Sequence, residues 1–174
     1  MKKLIFTFII TAFTIGGTVF GQALGHLNSQ KVLDTLPSRK AALEELSRFE
    51  QRAYKELEET QQSLQQAYMK LQEEAGSMSK TAYKFEEDRL MRKSQEFQQR
   101  QEELDQQLKM LANELNTPVL ERLQEAVNIV SKREKLNYVM DISALLYSDG
   151  KDITNMVIVE ALRLEKEASK TAAE

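Results

Sequence analysis

Apolar residues recur through the middle of this chain at helical rather than strand spacing. Counting by sevens from Leu36 gives Leu43, Glu50, Leu57, Leu64, Leu71 and Met78. A second count gives Tyr83, Leu90, Phe97, Leu104 and Leu111. A strict repeat of seven predicts two long helices meeting along a left-handed supercoiled seam. Between Pro37 and Pro118 there is no proline and one glycine, Gly76. The Gly76-Ser77-Met78-Ser79 stretch is the natural fold-back point. Residues 37–117 therefore read as an antiparallel helical hairpin with its tip near 76–79. The companion row of the first arm runs Leu46, Ala53, Thr60, Ala67, Glu74, and that of the second runs Leu115, Leu108, Gln101, Ser94, Glu87. Both pass from leucine at the base to carboxylate at the tip. Such a hairpin is expected to be tight at its base and loosely held at its tip.

The flanking segments differ in pattern. Pro118 lacks an N–H and disfavours helix in the residue before it, so the second arm is expected to end or bend there. Val119, Leu120, Leu123, Val127 and Val130 then form the stripe of a further helix. Leu136, Tyr138, Met140 and Ile142 alternate as one face of a strand, and residues 144–147 read as another. Ser148-Asp149-Gly150 is a turn, and Asp152 caps a last helix carrying Ile153, Val157, Ala161 and Leu164. Residues 22–28 are long enough for one more strand. The expected architecture is mainly α with a small β component. A helical-hairpin arm projects from a small α/β body made of residues 22–36 and 118–165, and residues 166–174 fray. Three short strands leave open edges, so the body is expected to complete its sheet with other copies of the chain. Leu24, Leu27, Leu123, Val127, Tyr138, Met140, Tyr147, Ile153 and Val157 are the candidates for that shared core.

The amino terminus changes the setting. Lys2 and Lys3 precede an apolar run from Leu4 to Phe20, with small residues toward and just past its end at Gly16, Gly17 and Gly21. This is the order of a cleaved signal peptide over residues 1–21, cut after Gly21 or Ala23, and it places the protein outside the cytoplasm. A retained anchor is the rival reading, but seventeen helical residues reach about 25 Å, short of a hydrocarbon core of about 30 Å. The formal charge is −3, and loss of two lysines with the signal takes it to −5. Such a balance gives no general attraction to nucleic acid.

Candidate chemistry is sparse. There is no cysteine and a single histidine, His26. General-base catalysis needs a nucleophile and an orienting partner, and a metal site needs three or four ligands. His26 reads as a body-strand residue. No enzyme activity, cofactor or metal is expected. Seven apolar residues of the arms lie off the seven-residue rows: Phe49, Tyr54, Tyr68, Met69, Phe85, Met91 and Met110. Methionine suits promiscuous surfaces and tyrosine offers apolar area with a polar tip, so these are the candidates for contact with a bound polypeptide.

Three motifs point to a family. They are Tyr138-Val-Met-Asp141, Leu145-Leu-Tyr147 and Lys151-Asp-Ile-Thr154, joined by Leu27-Asn28 after the first strand and Ala75-Gly76-Ser77 at the tip. Over the mature chain the sequence resembles the Skp family, the OmpH-like periplasmic chaperones. That resemblance implies a homotrimer whose small β-containing body carries three helical tentacles. It also implies a periplasmic holdase that works without ATP, encloses unfolded outer-membrane β-barrel proteins and keeps them from aggregating. Family members linked to lipopolysaccharide or anionic membrane carry cationic tentacles. Here residues 73–93 hold five basic and five acidic side chains, which puts lipid contact in doubt. The other reading of the pattern is an envelope scaffold that holds one folded partner on a permanent coiled coil.

Overall fold

The computed structural model describes residues 23–171. The signal-peptide assignment and the last three residues of the tail lie outside them. The described chain runs β1 (Leu24–Leu27), α1 (Ser29–Thr35), α2 (Pro37–Glu74), α3 (Lys80–Arg133), β2 (Tyr138–Asp141), a 3-10 turn (Ile142–Ala144), β3 (Lys151–Asp152) and α4 (Thr154–Thr171).

Helices α2 and α3 form the hairpin. With 38 and 54 residues, they reach about 57 and 81 Å at 1.5 Å per residue. Of the end or bend expected at Pro118, the end does not occur, because α3 passes through it. Proline deprives the Glu114 carbonyl of its helical donor, but both residues are exposed, so water can take that place. Thr117 Oγ1 meanwhile donates to the Asn113 carbonyl at 2.7 Å. Burial on the body side carries the helix onward: Val119, Ala126 and Val130 are buried at the same helical period as Leu104. Within the described chain α4 continues past residue 166 to Thr171.

The seam departs from the count by sevens. In α2 the inward line runs Ala42, Leu46, Phe49, Ala53, Leu57, Leu64, Ala67, Leu71. Allowing for the inward turn at Thr60, this is twenty-nine residues in eight steps, about 3.6 per turn and close to a straight helix. Leu43 is accordingly 48% exposed, and it leaves the seam to Ala42. Leu71, Leu90 and Leu104 are buried; Leu57, Leu64, Phe97 and Leu111 are half-buried.

The companion rows follow the expected gradient, half-buried at Leu46, Leu108 and Leu115 and exposed at Glu74 and Glu87, but the main row does not. Leu90, near the tip, is 1% exposed. One gap lies midway, where Thr60 and Ser63 face Lys93, Phe97 and Arg100 across a groove of about 280 Å³, and a smaller groove of about 230 Å³ runs beside Leu71 and Leu90. Amide exchange in the arms should therefore be faster at residues 58–63 and 94–101 than around Leu71 and Leu90. Uniform protection along both arms would contradict the burial pattern.

Gly76 closes the hairpin without using glycine's special freedom. It has no positive φ, and a Cβ built there meets nothing within 4 Å. Gly76→Ala is expected to raise stability by about 0.5 kcal/mol through the unfolded chain. A loss seen in a denaturant titration would show that the turn needs the glycine.

In the body, β1 is central and both its neighbours are parallel to it, in the order β2-β1-β3. The third strand is thus residues 151–152; residues 144–147, expected as a strand, are the end of the 3-10 turn, an extended Leu145 and a bend at Leu146. Leu27, Val32, Leu36, Val119, Ala126, Val130, Ile153, Val157 and Ala161 form the core, with Leu123 and Val127 packed against it. Leu136 joins this core beneath Gly25 instead of sharing a strand face with Tyr138.

Candidate functional site

The arms offer surface instead of a cavity. Tyr54, Tyr68, Met69, Phe85, Met91 and Met110 are all exposed, from 41% for Tyr68 to 71% for Tyr54. The helical period turns them off the seam, and charged and glutamine side chains separate them. Phe49 does not belong with them: it is half-buried in the seam line. The signal for this was available, since a count by sevens reaches apolar Phe49 from Ala42 but Glu50 from Leu43.

Ionic contacts on the arms are mostly local pairs within one helix, such as Arg48–Glu45 and Arg89–Glu86. Arg100 is different: its Nε and Nη2 donate to the two oxygens of Glu56 on the opposite arm, at 2.6 and 3.2 Å. These bonds hold the Glu56 carboxyl below its usual range. The pair is exposed, so it sets register more than it adds stability.

The second surface is the sheet. One face packs on the helices. The other presents Leu24, Tyr138 and Met140, each about half exposed. Tyr147 is 82% exposed beside it in sequence, following a fully exposed Leu146. Leu24, Tyr138, Met140 and Tyr147 are therefore not core in a single chain, whereas Leu27, Ile153 and Val157 are. Parallel sheets normally have both faces covered.

His26 lies in the middle of β1. Its Nδ1 is 2.7 Å from Ser148 Oγ, and Asp152 is its register partner on β3. The three residue types are those of a hydrolase triad, but the wiring differs. Asp152 Oδ1 accepts from the Thr154 N–H and hydroxyl at 2.8 and 2.5 Å. His26 is itself buried, pinning the segment after β2 to the sheet.

Two of the three sequence motifs, those ending in Asp141 and Thr154, turn out to carry caps. Asp141, at the end of β2, accepts from Ser143 N–H at 2.8 Å and from Ser29 N–H at 3.0 Å. It thereby starts both the 3-10 turn and α1. Thr154 Oγ1 accepts from Asn28 N–H at 3.0 Å, and Asn28 Oδ1 accepts from Lys31 N–H at 2.8 Å. Hydrogen bonds from Ser143 and then Ser29 hold the Asp141 carboxyl far below the usual range; those from Thr154 lower Asp152. A carboxylate with a depressed folded pKa contributes stability above its unfolded value of about 3.9 and loses it as pH falls through the folded value. Acid unfolding should therefore set in below about pH 4. Asp141→Ala should cost about 2 kcal/mol at pH 7, one cap for each of two elements. It should also flatten the acid limb of the stability curve; an unchanged limb would remove Asp141 from this role.

Comparisons with known proteins follow the same lines. The family described as outer membrane protein (OmpH-like) matches residues 23–160. The chaperone protein Skp of Photorhabdus laumondii is 29% identical over 163 residues, covering 91% of this chain and 98% of the relative. The chaperone protein Skp of Photorhabdus luminescens gives the same identity and coverage. The solved structure of an OmpH-like outer membrane chaperone from Caulobacter crescentus superposes with a TM-score of 0.72, at 16% identity, over 86% of this chain and 89% of that one. At that identity the superposition establishes the fold: long helices on a small three-stranded sheet. The family match spans both ends of the hairpin and the capping motifs of the body, and the chain belongs to the OmpH-like family of outer membrane chaperones.

Proposed function

We propose that this protein is a periplasmic holdase that encloses unfolded outer-membrane β-barrel proteins without using ATP. The observation that carries this reading is the distribution of exposed tyrosine, phenylalanine and methionine along two long thin helices. A scattered apolar surface of this kind gives many weak contacts and no fixed pose, which suits a non-native chain. Enclosure keeps the client's strand edges and apolar faces from meeting those of other clients. Release follows when the client folds and removes that surface.

The working form is a homotrimer. The uncovered sheet face and the exposed Leu146 and Tyr147 support it, because water-exposed apolar area on that scale favours burial between copies. Its mass in solution should be that of three chains; a stable monomer would exclude a three-armed clamp. The function is tested by diluting an unfolded barrel protein from denaturant with and without the mature chain. Light scattering should be suppressed for several unrelated barrels. Binding to one folded partner with no effect on unfolded barrels would favour the scaffold reading instead.

A further inference from the structure

We infer that Glu165, on the body helix α4, is a positioning residue that sets the direction of the hairpin. The contact that matters lies at the start of α2. A helix leaves its first N–H groups unsatisfied, and a Ser, Thr, Asp or Asn side chain usually accepts one of them. Here the N-cap residue is Leu36, whose side chain makes no capping bond. Leu36 is instead fully buried in the body core. The missing acceptor comes from another helix: Glu165 Oε1 accepts from Ser38 N–H at 2.7 Å. A carboxylate also suits the positive end of the helix dipole.

The same carboxylate reaches the other arm. Arg122 Nη1, on α3, is 3.5 Å from Glu165 Oε1 and 3.1 Å from Ser38 Oγ. One side chain of the body thus holds the roots of both arms. Glu165 is 8% exposed, so this contact is shielded from water and salt and is not one of the weak surface pairs seen farther out. The root is not saturated, because Glu165 Oε2 and Arg39 Nε are buried without hydrogen-bond partners. A groove of about 500 Å³ runs beside it, between Pro37, Ala41, Leu162 and Ser169. The root therefore has room to move once the carboxylate is removed. Glu165 also lies beyond residue 160, where the family match ends.

The proposal rests on the reading of the hairpins as enclosing arms only for its consequence; the geometry is tested without a client. The chain has no cysteine, so Gln72→Cys near the tip and Asn155→Cys in the body give two clean spin-label sites. Labelled chain is assembled with a tenfold excess of unlabelled chain, and the tip-to-body distance distribution is measured by pulsed electron resonance. The distribution should widen at least twofold in Glu165→Ala. In Glu165→Gln, which keeps an amide oxygen for Ser38 N–H but gives up the charge opposite Arg122, the width should fall between wild type and Ala. If the alanine variant does not fold, the glutamine variant carries the test. Melting is followed in parallel, since a merely structural role would lower the melting temperature and leave the width alone. Equal widths in wild type and the folded variants would overturn the inference. Failure of the wild-type chain to suppress barrel aggregation would count against the holdase reading, and would leave the distances untouched.

Discussion

Alanine at Leu36 should lower stability by about 3 kcal/mol, at fixed protein concentration in a denaturant titration. Leu36 is fully buried among the residues of the body core, and it sits between α1 and α2 in an extended conformation (φ −80°, ψ 123°). Removing three carbons there leaves a cavity at the point where the body meets the arm. Leu36→Ser separates two effects. Serine would offer an N-cap oxygen, but Ser38 N–H already has Glu165 and Arg39 N–H already has the Leu36 carbonyl, so it would regain little for the same lost side chain. Its expected net cost is therefore also about 3 kcal/mol. A serine variant as stable as wild type would mean that the cap, not the core, governs this junction.

Changing all six exposed arm residues, Tyr54, Tyr68, Met69, Phe85, Met91 and Met110, to glutamine should weaken client capture by at least about tenfold, or 1.4 kcal/mol. Glutamine keeps helix propensity and length while removing apolar area. All six are exposed and lie off the seam, so the melting temperature should stay near that of wild type. Phe49→Gln is the contrast: it strikes the seam and should destabilise the hairpin first. Capture unchanged in the six-residue variant would assign the clients to another surface, and the uncovered sheet face would be the next to test.

The hairpin was legible because its signal is long and periodic. Proline and glycine spacing located the arms, and leucine spacing showed that they pair. The seam register was read less well, because a period of 3.5 and one near 3.6 differ by only about one residue over the eight turns back from Leu71; that residue is the difference between Leu43 and Ala42. Pro118 misled because its local cost is fixed while its tolerance depends on exposure, here the hydration of one freed carbonyl. The third strand is only Lys151–Asp152, too short to carry a period. Asp141 and Asp152 were visible as motif residues, and an Asp two positions before a Ser or Thr is a recognisable capping pattern. Glu165 could not have been found this way, because its partners Ser38 and Arg122 are distant in sequence and nothing local marks it.

The uninterrupted run of α3 through Pro118 also bears on how the chain folds. Leu71 and Leu90 line one groove and are nineteen residues apart, whereas Leu24 and Tyr138, partners in the sheet, are separated by 114. Closing the longer loop first would cost on the order of 1.5 kcal/mol more. Pairing that starts beside the tip and zips toward the root shortens this search, and the body half of α3 arrives already helical. The arm is then a guide for assembling the sheet as well as a limb that the sheet supports.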